Sequence, residues 1–383
     1  MPVQPPNSRP ILLTEIVAMG GAERSVLALS RWLSAHDLPN HILTYQDHIR
    51  LASFSSHPIT VVELRPEMRA IPKISALRRH FASRPAASPK PLMSGYQPAL
   101  HGALAGLRGF HTLMHDTPSL FSDAQTESTL AKRLARRVSD HATAHGLRSG
   151  GQTIVTSSYL QSETRRVFGV HAAIARMGGL TAPGSFRLRP VTTSLRMLSV
   201  SRIEPNKRIS WLIRALAALE SRPTPLSAEI DWRLDVAGSG SHLTELQALI
   251  AQLSLTHRIH LLGFVPDNDL DRLYDQAHLF LMPAVQGYGI PAIEALSRGI
   301  PVLLHRDSGV SDILLETPWA TVFTGEEAAL TAALSQAIHS TRSGRHLAVP
   351  PPNLPTEDSW AEQVANLCGW VTGSSHQTSK ILP

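Results

Sequence analysis

The sequence predicts an α/β chain of two doubly wound, Rossmann-like domains facing a cleft. Three observations carry this expectation. Short apolar, β-branched runs alternate with amphipathic helical stripes along most of the 383 residues. The pattern opens twice with strand, turn and helix, at Pro10–Ala35 and again at Leu195–Leu216. Between the two openings, residues 178–194 (GGLTAPGSFRLRPVTTS) are rich in Gly, Pro, Ser and Thr, which marks a boundary. A chain of this length divides more naturally into two cores than one. Domains are therefore expected at 1–180 and 195–345, with a short amphipathic helix at 356–372.

In the first half, Pro10–Val17 reads as a strand, Ala18-Met19-Gly20-Gly21 as a turn, and Ala22–Ala35 as a helix with Val26, Leu29, Trp32 and Leu33 on one stripe. His41–Tyr45 and Ile59–Leu64 read as the next strands. A helix from Pro72 carries Lys73, Arg78, Arg79 and Arg84 on one face and Ile74, Leu77 and Phe81 on the other. Such a helix suits packing on its own sheet, or an anionic membrane surface. Phe110–Met114 is apolar enough for a strand, and His115-Asp116 follows it. Ligands of open α/β sheets bind at strand carboxyl ends, which makes His115 a candidate; the alternative is a turn in which Asp116 caps the next element. Ser128–His145 reads as a basic helix, Thr153–Thr156 as a strand and Leu160–Phe168 as a helix.

The second half restarts with Leu195–Val200. Arg202 and Lys207 flank the loop between this strand and the next helix, where a diphosphate can be cradled by a helix start and two cations. Trp232–Ala237 ends at Gly238-Ser239-Gly240, a weak signal alone. Arg258–Leu262 leads into Gly263-Phe264-Val265-Pro266, with Asp267 or Asn268 as the cap of a helix from Asp269 to Gln276. The densest stretch is 278–304, HLFLMPAVQGYGIPAIEALSRGIPVLL. Two buried-type strands, Leu279–Met282 and Ile300–Leu304, enclose the loop Gln286-Gly287-Tyr288-Gly289 and a helix opening at Ile290-Pro291. Pro291 suits a first turn and Gly299 the residue past a helix end. Backbone N–H groups at such a start favour phosphate, and Glu294, one turn inside, is placed for a sugar or ribose hydroxyl.

The string Q-G-Y-G-I-P-A-I-E-A-L (Gln286–Leu296) resembles the E-G-F-G-x-P-x-x-E-A segment of family 4 retaining glycosyltransferases, which have the GT-B fold. Gly20-Gly21-Ala22-Glu23 resembles that family's first loop beside the donor phosphates, and Ser157-Ser158 its serine segment before the interdomain link. The resemblance implies transfer of a sugar from a nucleotide-sugar, UDP- or GDP-linked, to an acceptor hydroxyl with retention. It implies Arg202 and Lys207 on the pyrophosphate, Gly263-Phe264-Val265 against the base, Glu294 on the ribose, and His115 and the residue at 286 on the transferred sugar. It also implies a last helix that crosses back onto the first domain, front-side attack without an enzyme nucleophile, and no metal or cofactor. The chain departs at Gln286, where the family has glutamate: an amide still hydrogen-bonds but carries no charge.

Composition narrows the remaining classes. One cysteine, Cys368, excludes an intrachain disulfide and a cysteine metal cluster, which fits a reducing compartment. No secretory leader and no run long enough to span a bilayer is visible, so the expected location is cytoplasmic, with peripheral contact at the inner face of the membrane. Residues 1–190 carry 22 Lys and Arg against 11 Asp and Glu, whereas residues 191–383 carry 14 against 19. A basic first half suits an anionic surface or a lipid-linked acceptor, beside glycan or small-molecule acceptors. A nucleic-acid binder is the rival, but its basic residues lack interleaved aromatics and no such module is present. A nucleotide-sugar-binding protein that has lost catalysis is the second rival, raised by Gln286.

Overall fold

The computed structural model describes residues 5–67, 69–118, 130–179, 186–191 and 193–371. It divides into two units. The first takes the described chain up to Thr156, Leu160–Arg176 and the segment after Glu357; the second takes Ser157–Tyr159 and Met177–Thr356. The expected helix start at Ser128, part of the 178–194 boundary and the tail beyond 371 lie outside the described residues.

The first unit runs β1 (Arg9–Leu12), β2 (Glu15–Ile16), α1 (Gly21–Ala35), β3 (Asn40–Thr44), β4 (Gln46–Asp47), β5 (Val61–Glu63), α2 (Ala70–Ala82), β6 (Leu92–Ser94), α3 (Tyr96–Leu104), β7 (His111–Met114), α4 (Leu130–Leu147), β8 (Thr153–Val155), α5 (Ser158–Phe168) and β9 (Ala173–Ile174). Seven strands form a parallel sheet in the order β5-β3-β1-β6-β7-β8-β9; β2 and β4 pair separately beyond the ends of β1 and β3. Parallel strands are covered on both faces, so their residues are apolar without alternation. Ile11, Leu12, Ile42, Leu43, Leu92 and Leu113 are fully buried. Strand order reverses between β1 and β6. Right-handed crossovers then put α1 on one face and α2, α3 and α4 on the other. The helix contacts agree, with α3 packed against both α2 and α4.

The second unit runs β10 (Ser194–Val200), α6 (Ile209–Glu220), α7 (Leu226–Glu229), β11 (Asp231–Ala237), α8 (Leu243–Gln252), β12 (Ile259–Gly263), α9 (Asp267–Gln276), β13 (Leu279–Met282), α10 (Ile290–Ser297), β14 (Val302–His305), β15 (Ala320–Phe323) and α11 (Glu327–Arg342). Its six parallel strands lie in the order β12-β11-β10-β13-β14-β15, reversing between β10 and β13. One core joins Leu212, Ile213 and Leu216 of α6, Leu234 and Val236 of β11, Leu281 of β13 and Leu334 of α11. The final helix, α12 (Glu357–Leu367), belongs to the first unit and packs on α1. Trp360 and Val364 are fully buried there, and Glu357 pairs with Arg31 at 2.7 Å.

Several boundaries differ from the sequence reading. The first strand stops at Leu12, with Glu15–Ile16 as a separate short strand. The N-cap of α9 is Pro266, so Asp267 and Asp269 lie in its first turn and favour the helix dipole instead of capping it. Neither β6 nor α3 was expected. Three residues are too few to show a period, and α3 contains Pro98; that proline falls in the first turn, where its missing N–H costs nothing. Lys73 is not on a solvent face of α2: it pairs with Glu15, and both side chains are largely covered.

Candidate functional site

Where strand order reverses, the loops leaving the two flanking strands turn to opposite faces, and a crevice opens at the strand ends. In the second unit those loops are 201–208 after β10 and 283–289 after β13. They meet through side chains, because Lys207 Nζ donates to Gln286 Oε1 at 3.3 Å. An ammonium has no acceptor, so the amide oxygen faces Lys207 and the amide NH₂ is turned away from it. The sequence-predicted residues Arg202, Lys207, Gln286, Gly287, Tyr288, Gly289, Ile290 and Glu294 therefore gather on the loops and helix around this reversal. Gly263, Phe264 and Val265 sit at the end of β12, two strands away from β10.

Glycines hold these loops close. Gly289 has φ +114°, and a Cβ there would lie 2.5 Å from Met282 Cε, so the turn into α10 admits little else. Gly238 has φ +143°, and a Cβ would lie 1.8 Å from Ser201 O; at Gly240 one would lie 2.1 Å from Ile203 O. Gly238-Ser239-Gly240 is thus a packing device that lets the loop carrying Arg202 lie against the end of β11, fixed by Ile203 N–H donating to Ser239 O at 2.8 Å. Gly238 N–H donates to Gly263 O at 2.8 Å, which ties in the Phe264 loop. Phe264 itself is 80% exposed. Ser157 Oγ donates to Gly287 O at 2.9 Å, and Ser158 donates to Asp312 through N–H and Oγ at 3.1 and 2.7 Å. The serine segment singled out in the sequence thus braces the central loop.

Glu294 is buried and accepts from the Tyr274 hydroxyl at 3.0 Å. Burial, and then Glu294, push the Tyr274 phenol well above its ordinary range, so it stays a donor. Arg298 lies 4.7 Å over the Tyr274 ring, donates to Glu294 O and pairs with Asp271 at 2.6 Å. Sequence reasoning named Glu294 but missed Tyr274 and Arg298, because α9 shows only a short, strongly polar pattern. Arg202 is exposed. Ser241 hydrogen bonds, then Arg202, hold the nearby Glu204 carboxyl below its usual range. Arg208 has φ +57° and stacks on Trp211 at 4.3 Å. Burial lowers its pKa against the pull of Glu326 and Asp307.

In the first unit, His115 follows β7, with Nε2 3.1 Å from Ser94 Oγ at the end of β6. Burial lowers its pKa to about 4, so near neutral pH the imidazole is an uncharged hydrogen-bonding group. Gly20 is the N-cap of α1 with φ −123°, and Gly21 is its first residue. The Gly20 N–H donates to Glu23 Oε2 at 3.0 Å, so that amide is already engaged. A polar cluster missed in the sequence lies beyond β1 and β3: Glu15 with Lys73, and the Tyr45 hydroxyl 3.0 Å from His101 Nδ1. Its members stand at 15, 45, 73 and 101, and no spacing rule connects them.

Residues 185–348 match the family model described as glycosyl transferases group 1. An uncharacterized glycosyltransferase of Methanocaldococcus jannaschii is 34% identical over 119 residues, 31% of this chain and 29% of that protein. The GDP-mannose-dependent α-(1-6)-phosphatidylinositol monomannoside mannosyltransferase of Mycolicibacterium smegmatis is 29% identical over 177 residues, 42% and 44% of the two chains. The matched stretches span less than half of these curated relatives. Among solved structures, WaaG, a glycosyltransferase involved in lipopolysaccharide biosynthesis, superposes with a TM-score of 0.67 at 17% identity over 95% of this chain and 100% of that one. HepE of Anabaena, in complex with UDP-glucose, gives 0.68 at 17% identity over 94% and 100%. Residues 185–348 are therefore similar to the group 1 glycosyltransferases, within a chain that has the GT-B fold.

Proposed function

We propose that the chain transfers a sugar from a nucleotide-sugar, UDP- or GDP-linked, to an acceptor hydroxyl with retention at the anomeric carbon. The observation that carries this reading is the Lys207–Gln286 contact across the strand reversal of a group 1 domain. The donor diphosphate lies there, met by Lys207, Arg202 and the backbone N–H groups after Gly287 at the start of α10. The base rests on Gly263-Phe264-Val265, Glu294 accepts from the ribose hydroxyls, and Gln286 hydrogen-bonds the transferred sugar. As the sugar C1–O bond breaks, its electrons pass to the departing diphosphate. The acceptor oxygen bonds to C1 on the same face and its proton passes to the diphosphate. Cations and amides, not a metal, meet the developing charge, so turnover persists in EDTA.

Thermal unfolding in the presence of UDP, GDP and ADP, and then of their sugar conjugates, tests the reading. A nucleotide at about a hundred times its dissociation constant adds roughly 2.7 kcal/mol and raises the midpoint by several degrees. Stabilisation by one base alone is expected; none by any nucleotide overturns the assignment. Gln286 favours one second reading, a donor-binding protein with weakened catalysis. A large gain in turnover for Gln286→Glu supports that reading, and a loss makes the amide the working group.

A further inference from the structure

The buried carboxylate of Glu294 is oriented by a neighbouring helix. The Tyr274 hydroxyl, on α9, donates to Glu294 Oε2 at 3.0 Å, with a longer 3.4 Å contact to Pro291 O at the start of α10. Tyr274 is itself buried, and its ring has no room to turn aside. It stacks on Phe280 of β13 with centroids 6.0 Å apart and planes inclined by 25°. The Arg298 guanidinium lies over the same ring, 4.7 Å from its centroid. A phenylalanine would fill this space equally well. The hydroxyl is the part of Tyr274 that packing does not require.

Arg298 closes the arrangement. It is buried, donates to Glu294 O at 3.1 Å, and donates to Asp271 Oδ1 at 2.6 Å. Asp271 and Tyr274 lie one turn apart on α9; Glu294 and Arg298 lie one turn apart where α10 ends. The four side chains therefore interlock across two helices. A buried carboxylate needs donors, and a mobile one would satisfy its charge. A phenol on an immobile ring does more. A carboxylate offers about four acceptor positions, and fixing one of them with a rigid donor fixes the direction of the rest.

We propose that Tyr274, clamped by Arg298, is a positioning residue that sets the preference of the donor site for a ribose diol. The inference rests on the donor reading, in which Glu294 accepts from the ribose hydroxyls. Two neighbouring hydroxyls meet one carboxylate well only when its plane is aimed at both, because hydrogen bonds weaken steeply with misalignment. Rotation about the last side-chain bond of Glu294 breaks that match, and the Tyr274 hydroxyl opposes the rotation. The base and the diphosphate are met by other loops, so the effect falls on sugar recognition.

The test is titration calorimetry of the full chain with UDP, GDP and their 2′,3′-dideoxy counterparts. The parent is expected to prefer its ribonucleotide by about tenfold or more, the size of a charge-assisted hydrogen bond. Tyr274→Phe lowers that preference to about threefold or less by weakening the ribonucleotide, while the dideoxy form binds as to the parent. In a Glu294→Ala background, adding Tyr274→Phe changes neither affinity, because the two residues act as one unit. Equal losses for both sugars, additive losses in the double variant, or an unchanged preference makes Tyr274 a packing group and overturns the proposal. Should Tyr274→Phe not fold, Asp271→Asn reads the same ratio. Its side chain is 60% exposed, and its loss frees Arg298 and lowers the preference by about two- to threefold; an unchanged ratio in that variant overturns the proposal. Failure of the donor reading looks different: the parent then binds no nucleotide, or binds both sugars alike, and both readings fall.

Discussion

Replacing Lys207 with alanine is the sharpest probe of the proposed donor site. Lys207 Nζ lies 3.3 Å from Gln286 Oε1, and the pair bridges the two loops at the strand reversal. With a diphosphate bound, the ammonium becomes a donor in a charge-assisted hydrogen bond. Such a bond, partly shielded from water, is worth about 1.5–3 kcal/mol, or roughly 13- to 160-fold in affinity. The loss belongs to the phosphates alone. Titration calorimetry of the variant should therefore show the full loss for UDP or GDP and almost none for the matching nucleoside. The thermal shift follows by linkage. At a nucleotide concentration that adds about 2.7 kcal/mol to the parent, a hundredfold weaker variant gains only about 0.4 kcal/mol. Unchanged diphosphate affinity refutes the assignment. An equal loss for nucleoside and diphosphate shows that the substitution has disturbed the loops instead.

Three further outcomes are expected. Gln286→Glu gives Lys207 a carboxylate that competes with the phosphates, so calorimetry should show diphosphate binding weakened by about three- to tenfold, the size of one partly screened charge interaction; unchanged binding separates the amide from the diphosphate. Gly238→Ala forces a Cβ to within 1.8 Å of Ser201 O at φ +143°, which should cost about 3 kcal/mol or more and lower the melting midpoint by roughly 6–12 °C; a parental midpoint refutes the close approach. Burial, helped by Arg84 beside His41 and by Lys90 beside His111, lowers both histidines to about 4. Their folded pKa values lie below the unfolded value near 6.5, so the unfolded chain binds more protons between these limits and stability falls as pH is lowered through the window. From pH 7 to 5 the loss is about 2 kcal/mol per histidine. Urea midpoints that stay flat over that range refute it.

What was legible in the sequence was whatever local chemistry dictates. The segment 278–304 announced itself because a strand that feeds a glycine loop and a proline-started helix leaves few other conformations open. Gly289 at φ +114° is the physical reason. Gly238-Ser239-Gly240 was only a weak signal, because its purpose lies in Ser201 and Ile203, more than 30 residues earlier. Glu294 was legible as a carboxylate on a helix start. Its partners Tyr274 and Arg298 were not, since they reach it through tertiary packing. The short β6 and the proline-containing α3 fell below any periodicity signal. The charge of the first half shows the limit most clearly. Counting residues finds an excess of cations but cannot say where they face. That depends on strand order: β1, β3 and β5 advance one way across the sheet, β6 to β9 the other, and each crossover helix takes its face from the direction of its step. The exposed Arg78, Arg79 and Arg137 reach one face because α2, α3 and α4 all bridge steps in the same direction. Only α1 bridges a step the other way and is joined by the acidic α12. Where the cations of the first half face is thus set by topology and not by their count, whereas the glycine loop at 286–289 is plain in the sequence itself.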